Sequence, residues 1–177
     1  LARGLGPVAM LAVLAMPAAA HGASSVVSRC LAEAAQHHGV DARLLHAIAV
    51  VESGLDPHAV NRANRNGSRD IGLMQINSSW LPLLAKWQIT EKALYDPCVS
   101  AYVGAWILAD NISRMGATWR AVGAYNARTP ARQLAYVQRV RKQLARLCSA
   151  AGAGTACRDD AAEVGAAVQA AGSRAGR

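Results

Sequence analysis

A chain of 177 residues fits one domain with enough length for a real core. Its 19 basic and 11 acidic residues give a formal charge of +8 without a block of like charges, which suits a polyanionic partner: a cell-wall polymer, a membrane surface or nucleic acid. Four cysteines with no Cys-x-x-Cys pair fit an oxidising compartment and speak against zinc or thioredoxin-type chemistry.

The chain opens like a secretory signal. Arg3 supplies the positive charge, residues 8–16 the apolar core, and Pro17 followed by Ala18, Ala19 and Ala20 a small-residue cleavage site. That apolar core is too short to span a bilayer. The expected organisation is a signal peptide over 1–23, an exported, periplasmic domain over 24–148, and an Ala- and Gly-rich mobile tail over 149–177.

The pattern predicts a mainly α domain. A short helix over 29–38 stops at Gly39. Asp41 caps the next helix, which carries Leu44, Leu45, Ile48 and Val51 at helical spacing and ends at Gly54. Residues 55–71 read as a loop with a two-stranded hairpin turning near Asn66-Gly67. Residues 72–77 read as a short helical turn, and Ser78 or Ser79 as the cap of a helix to about Trp87. A further turn starts at Thr90-Glu91. Asp96-Pro97 opens a helix to Met115, closed by Gly116 and charged only at Asp110 and Arg114, as a buried central helix would be. Thr118 starts a short helix through 124–126, and Thr129-Pro130 the last one, to Cys148. That helix carries Arg132, Arg139, Arg141, Lys142 and Arg146 and no acid, a solvated face or one that meets a polyanion. Of the three possible cysteine pairings, Cys30 with Cys98 would tie the first helix to the central one, and Cys148 with Cys157 would close a small loop.

Glu52 is the candidate with the sharpest chemistry. It lies in the last turn of an apolar helix, where the dipole disfavours an anion and Ile48, Val51 and Leu55 would desolvate it. Both effects raise a carboxyl pKa toward that of a general acid.

Three blocks stand in order: Glu52-Ser53, Gly72-Leu73-Met74-Gln75-Ile76-Asn77 and Ala124-Tyr125-Asn126. They resemble the lytic transglycosylases of the lysozyme-like superfamily (goose-type or SLT-like), in particular the small exported members that accompany secretion, conjugation or pilus systems. The resemblance covers about residues 30–140. It implies cleavage of the β-1,4 bond between N-acetylmuramic acid and N-acetylglucosamine in peptidoglycan, with a 1,6-anhydro product and no cofactor. Glu52 would be the acid and then the base. Gln75 and Asn77 would bind sugar hydroxyls and acetamides, Tyr125 would offer a ring face and orient Glu52 or substrate, and Ser53 and Asn126 would fix the backbone. The partners implied are glycan strands and components of an envelope-spanning machine, not nucleic acid.

Asp70 departs from that pattern. The run through Asp70 also resembles animal-type lysozyme, where a second carboxylate stands at this place. Asp70 could therefore join in hydrolysis, support Glu52 electrostatically, or cap a hairpin and pair with Arg69 or Arg65. A non-catalytic wall-binding protein is the alternative from another class. His37, His38 and His46 lack partners at ligand spacing, so no metal site is expected. Trp80 is the best sugar-platform candidate among the tryptophans, and Trp106 reads as core.

Overall fold

Helix caps set most of the architecture. In the computed structural model, which describes residues 19–150 and the side chains of 26–149, Asp41 accepts hydrogen bonds from the backbone of Arg43 and Leu44 and starts α2 (Ala42–Ser53). Asp96 does the same for Cys98 and Val99 at the head of α4 (Pro97–Met115), with Pro97 in the first turn. Thr118 caps α5 (Trp119–Asn126), and α6 (Pro130–Ala150) follows. Gly54, at φ 66°, closes α2 in the left-handed conformation, its N–H bonded to the Val50 carbonyl.

Helix α4 is the axis of the core. Nine of its residues are buried, Ser100 and Asn111 among them. Helix α1 (Ala19–His38) packs along it through Val27, Leu31, Ala34 and Ala35, and the Cys30–Cys98 disulfide fastens the two. Helices α5 and α6 pack on each other and α6 crosses α2, burying Tyr136, Val137 and Val140. Gly123 permits a close α5–α6 approach, because a Cβ there would stand 2.8 Å from that of Gln133.

Beside this bundle lies a small antiparallel sheet in the order β1 (Val60–Asn61), β2 (Asp70–Ile71), β3 (Ile76–Asn77). Val60 faces Ile71, Asn61 faces Asp70, Asp70 faces Asn77 and Ile71 faces Ile76. The expected hairpin is present as β1–β2, and Gly67 takes φ 73° in its loop.

Four expectations are corrected. The first helix begins at Ala19, ahead of residue 29; Val27 adds a buried turn in register with Leu31, Ala34 and Ala35. Residues 72–75 form a tight turn into a third strand, not a helical turn. Gly72 and Gln75 both take positive φ, 74° and 49°, which no helix tolerates. Asn77, not Ser78 or Ser79, supplies the cap, accepting from the Ser79 N–H at 3.0 Å. The helix after it is broken into a 3-10 turn, the single α turn α3 (Leu81–Leu84) and a second 3-10 turn that ends at Gln88, φ 60°.

Among the described residues no helix is long and apolar enough to cross a membrane. The leader expected over 1–23, apart from the residues from 19 that open α1, and the tail from residue 151 lie outside the described residues. Cys148 is disulfide-bonded; its expected partner Cys157 lies outside them.

Candidate active site

Glu52 sits where α2, the small sheet and α6 meet. Its carboxyl is enclosed mostly by protein, yet the residue keeps part of its surface open to solvent. Burial pushes its pKa from 4.5 up to about 7. Asp70, on the facing strand, adds a like charge that pushes the same way. A hydrogen bond from Tyr136 and the charge of Arg139 pull against the rise without cancelling it.

Tyr136 is the neighbour that sequence reasoning missed. Its hydroxyl donates to Glu52 Oε1 at 2.6 Å across 84 residues of sequence. Burial and the Glu52 charge push the Tyr136 hydroxyl well above its usual pKa, so it remains a donor. Oε2 makes no hydrogen bond among the described residues. The available signal was Tyr136 on the apolar side of an otherwise Arg-rich helix, in register with Val137 and Val140.

The turn over residues 72–75 is clamped from three helices. Ser53 Oγ donates to the Leu73 carbonyl at 2.7 Å and, more weakly, to Ala49 at 3.3 Å. The buried Ser100 hydroxyl of α4 accepts from the Met74 N–H at 3.1 Å. Tyr125 OH donates to the Met74 carbonyl at 3.0 Å. Gln75 Nε2 donates to the carbonyls of Gly72 at 2.9 Å and Ala59 at 3.1 Å. Gly72 is required at its place: a Cβ would collide with the Leu94 carbonyl oxygen. Gly104 is likewise needed, since a Cβ there would lie 2.7 Å from the Met74 side chain.

These contacts reassign several expected roles. Tyr125 fixes the turn with its hydroxyl and does not hydrogen-bond Glu52. Ser53 spends its hydroxyl on the backbone of Leu73 and Ala49. Asn126, the last residue of α5, is exposed and makes no side-chain hydrogen bond among the described residues; Gln133 instead holds that helix end, donating to the Ala127 carbonyl at 2.9 Å. Gln75 spends its amide N–H groups on backbone, leaving only its carbonyl oxygen for a ligand. Asn77 donates to Asp70 at 2.7 Å and Ser68 at 2.9 Å while its oxygen caps the following turn, so its amide is occupied at both ends.

Asp70 pairs with neither Arg69 nor Arg65. Its two oxygens accept from three amides: Asn77 on Oδ1 at 2.7 Å, and Asn61 at 2.9 Å and Asn64 at 3.0 Å on Oδ2. Arg69 turns away to Glu91, 2.6 Å distant. The carboxylate is thus fixed on the sheet by neutral donors, and its charge still acts on Glu52.

Trp80 is half-buried and meets Trp106 edge-on with ring centres 5.4 Å apart. Trp106 is itself only half-buried, not the core residue expected, and carries the exposed Trp87 on its other side. His37 and His38 stack with Tyr102 between α1 and α4. Among the described residues no three His, Cys, Asp or Glu come together in a way that could hold a metal.

Residues 29–146 match the model of the transglycosylase SLT domain. Over 101 residues the chain is 48% identical to Invasion protein IagB of Salmonella typhimurium (strain SL1344), covering 56% of this chain and 62% of that protein. Protein IpgF of Shigella flexneri is 41% identical over 101 residues, 56% of this chain and 66% of its own. A Peptidoglycan-binding-like protein of Escherichia coli O157:H7 is 41% identical over 107 residues, 56% and 64% of the two chains. The chain therefore spans less than two thirds of the length of these relatives.

Proposed function

Since this chain belongs to the transglycosylase SLT domain family, we propose that it is a peptidoglycan lytic transglycosylase with Glu52 as its acid and base. The observation that carries this reading is the Glu52 carboxyl held at about 7, with one oxygen pinned by Tyr136 and the other bearing no hydrogen bond among the described residues. A group at that value is protonated and deprotonated with equal ease near neutral pH, which a single residue serving both steps needs.

The reaction balances on that one carboxyl. Glu52 Oε2 gives its proton to the glycosidic oxygen as the bond from muramyl C1 breaks. The substrate's own acetamido oxygen supports the electron-poor C1. Glu52, now ionised, takes the proton of the muramyl C6 hydroxyl, and O6 bonds to C1. The ring closes as a 1,6-anhydro sugar, the acid is restored, and no water is consumed. Asp70 places negative charge near the developing cation; the three amides on its oxygens suit it to a fixed electrostatic role better than to attack on C1.

The protein would act outside the cytoplasmic membrane. The signal-like leader and the Cys30–Cys98 disulfide support an exported, periplasmic protein. A relative named Invasion protein supports a role in opening the wall locally for an envelope-spanning secretion, conjugation or pilus machine.

The test is mass spectrometry of the products released from purified peptidoglycan by the full chain. Muropeptides ending in 1,6-anhydro-muramic acid are expected, and Glu52→Gln should abolish their release. Products heavier by one water would identify a hydrolase and move Asp70 into the chemistry. Binding without release by the folded protein would favour the wall-binding reading, to which the name of the Escherichia coli relative lends support.

A further inference from the structure

Helix α6 contains no acidic residue, and none of the ion pairs seen among the described residues involves its Arg132, Arg139, Lys142 or Arg146. At 3.6 residues per turn, Arg132, Arg139, Lys142 and Arg146 fall within an arc of roughly 80° along one side of it. All four are exposed. The arc adjoins the edge that carries Tyr136. The stripe is therefore continuous with the candidate active site: the Arg139 guanidinium lies 5.5 Å from the Tyr136 ring centre, and its charge acts on Glu52.

The substrate has an anionic part at the matching place. In peptidoglycan the peptide stem is attached through the lactyl group of the muramyl sugar, the sugar whose C1 reacts. A stem bound for cleavage leaves the glycan beside Glu52. An extended stem of four or five residues reaches roughly 13–18 Å. The 14 helical steps from Arg132 to Arg146 span about 21 Å, and the 7 from Arg139 to Arg146 about 10 Å. A stem that leaves the glycan beside Arg139 is long enough to reach either end of the stripe, about 10 Å away, and its carboxylates meet guanidinium and ammonium groups without a competing acid on that helix.

We propose that the basic stripe of α6 is a subsite for the peptide stem, with Arg139 midway along it beside the cleft and Arg132, Lys142 and Arg146 flanking it. The substrate class follows as stem-bearing glycan, preferred over naked glycan. This rests on the transglycosylase reading of the site.

The test compares the full chain with the triple variant Arg132→Gln, Lys142→Gln and Arg146→Gln, which leaves Glu52, Tyr136 and Arg139 intact. Binding of fluorescent glycan oligomers with and without stems is read by anisotropy, in a Glu52→Gln background so that substrate is not consumed. The stem-bearing oligomer should bind the parent more tightly than the naked one, and the triple variant should lose about fivefold on the stem-bearing oligomer alone. The parent's preference should fade as salt shortens the screening length. Equal binding by parent and variant, or an equal loss on both oligomers, overturns the proposal. So does loss of binding to vesicles of anionic phospholipid with the stem preference unchanged, which would assign the stripe to a lipid surface. Cleavage of the naked oligomer by protein with intact Glu52 reads the transglycosylase assignment separately, so failure of one is not mistaken for failure of the other.

Discussion

Replacing Tyr136 with Phe removes one oxygen and keeps the buried ring. In the native protein that hydroxyl donates to Glu52 Oε1 at 2.6 Å and so favours the ionised carboxylate. A hydrogen bond to a charged group contributes about 1.5–3 kcal/mol, and about 1.4 kcal/mol corresponds to one pKa unit. Solvent on the open side of Glu52 favours the lower end, a rise of about one unit. Glu52 stands at about 7 in the native protein, so it should stand near ~8 in Tyr136→Phe. A general acid works only while protonated, so the alkaline limb of the rate profile should move up by that unit. At about pH 5.5, where the acid is protonated in both proteins, any remaining rate loss measures misorientation of the carboxyl alone. The assay is the initial rate of muropeptide release across the neutral range at saturating substrate. An alkaline limb that stays in place, or moves to lower pH, would refute the assignment of Tyr136 as the group that restrains Glu52.

Glu52→Gln should stabilise the fold at high pH while abolishing activity. The folded carboxyl sits at about 7 against 4.5 for the free group, so ionising it costs stability progressively from pH 4.5 to 7, with no penalty below that window. Urea unfolding at about pH 8 should show a gain of at most about 3 kcal/mol, and none at about pH 4. Gly104→Ala would push a methyl within 2.7 Å of Met74. An overpacking loss of about 1–3 kcal/mol should appear in thermal melts, with reduced glycan cleavage because the clamped turn must shift. Replacing Cys30 and Cys98 by Ser opens a link between residues 68 apart in sequence. The chain-entropy estimate is a loss of about 4 kcal/mol, read as a lower urea midpoint.

What could be read from the sequence follows the range of the forces involved. Helix α4 was legible at both ends because its signals are local: Asp96 and Pro97 at the head, Gly116 just past the tail. The place of Glu52 at a helix end was legible for the same reason, since Gly54, which closes α2, lies two residues on, whereas Tyr136, Arg139 and Asp70 around it are distant in sequence. The 72–75 turn was misjudged because Leu73 and Met74 suit a helix, while what bends the chain there is distant: Ser53, Ser100 and Tyr125. Tyr136 lies 84 residues from its partner, and no periodicity announces a hydrogen bond of that reach. The polar residues Gln75 and Asn77 were expected to face a ligand because the groups that occupy them, backbone carbonyls for Gln75 and the side chains of Asp70 and Ser68 for Asn77, are invisible before folding.

The clamped turn also determines where this fold can vary. With the carbonyls of Leu73 and Met74 and the N–H of Met74 committed to three helices, a substitution near the turn is transmitted into α2, α4 or α5. The loop over 62–69 joins the same sheet and most of its residues are exposed; Asn64, Ser68 and Arg69 hold Asp70, Asn77 and Glu91, while the hydrogen bonds of its tip over 65–67 stay within the loop. A designer seeking a different glycan preference would insert and randomise at that tip and leave Asn64 and the turn untouched. The reactive carboxyl would then keep its setting while the outer wall changes.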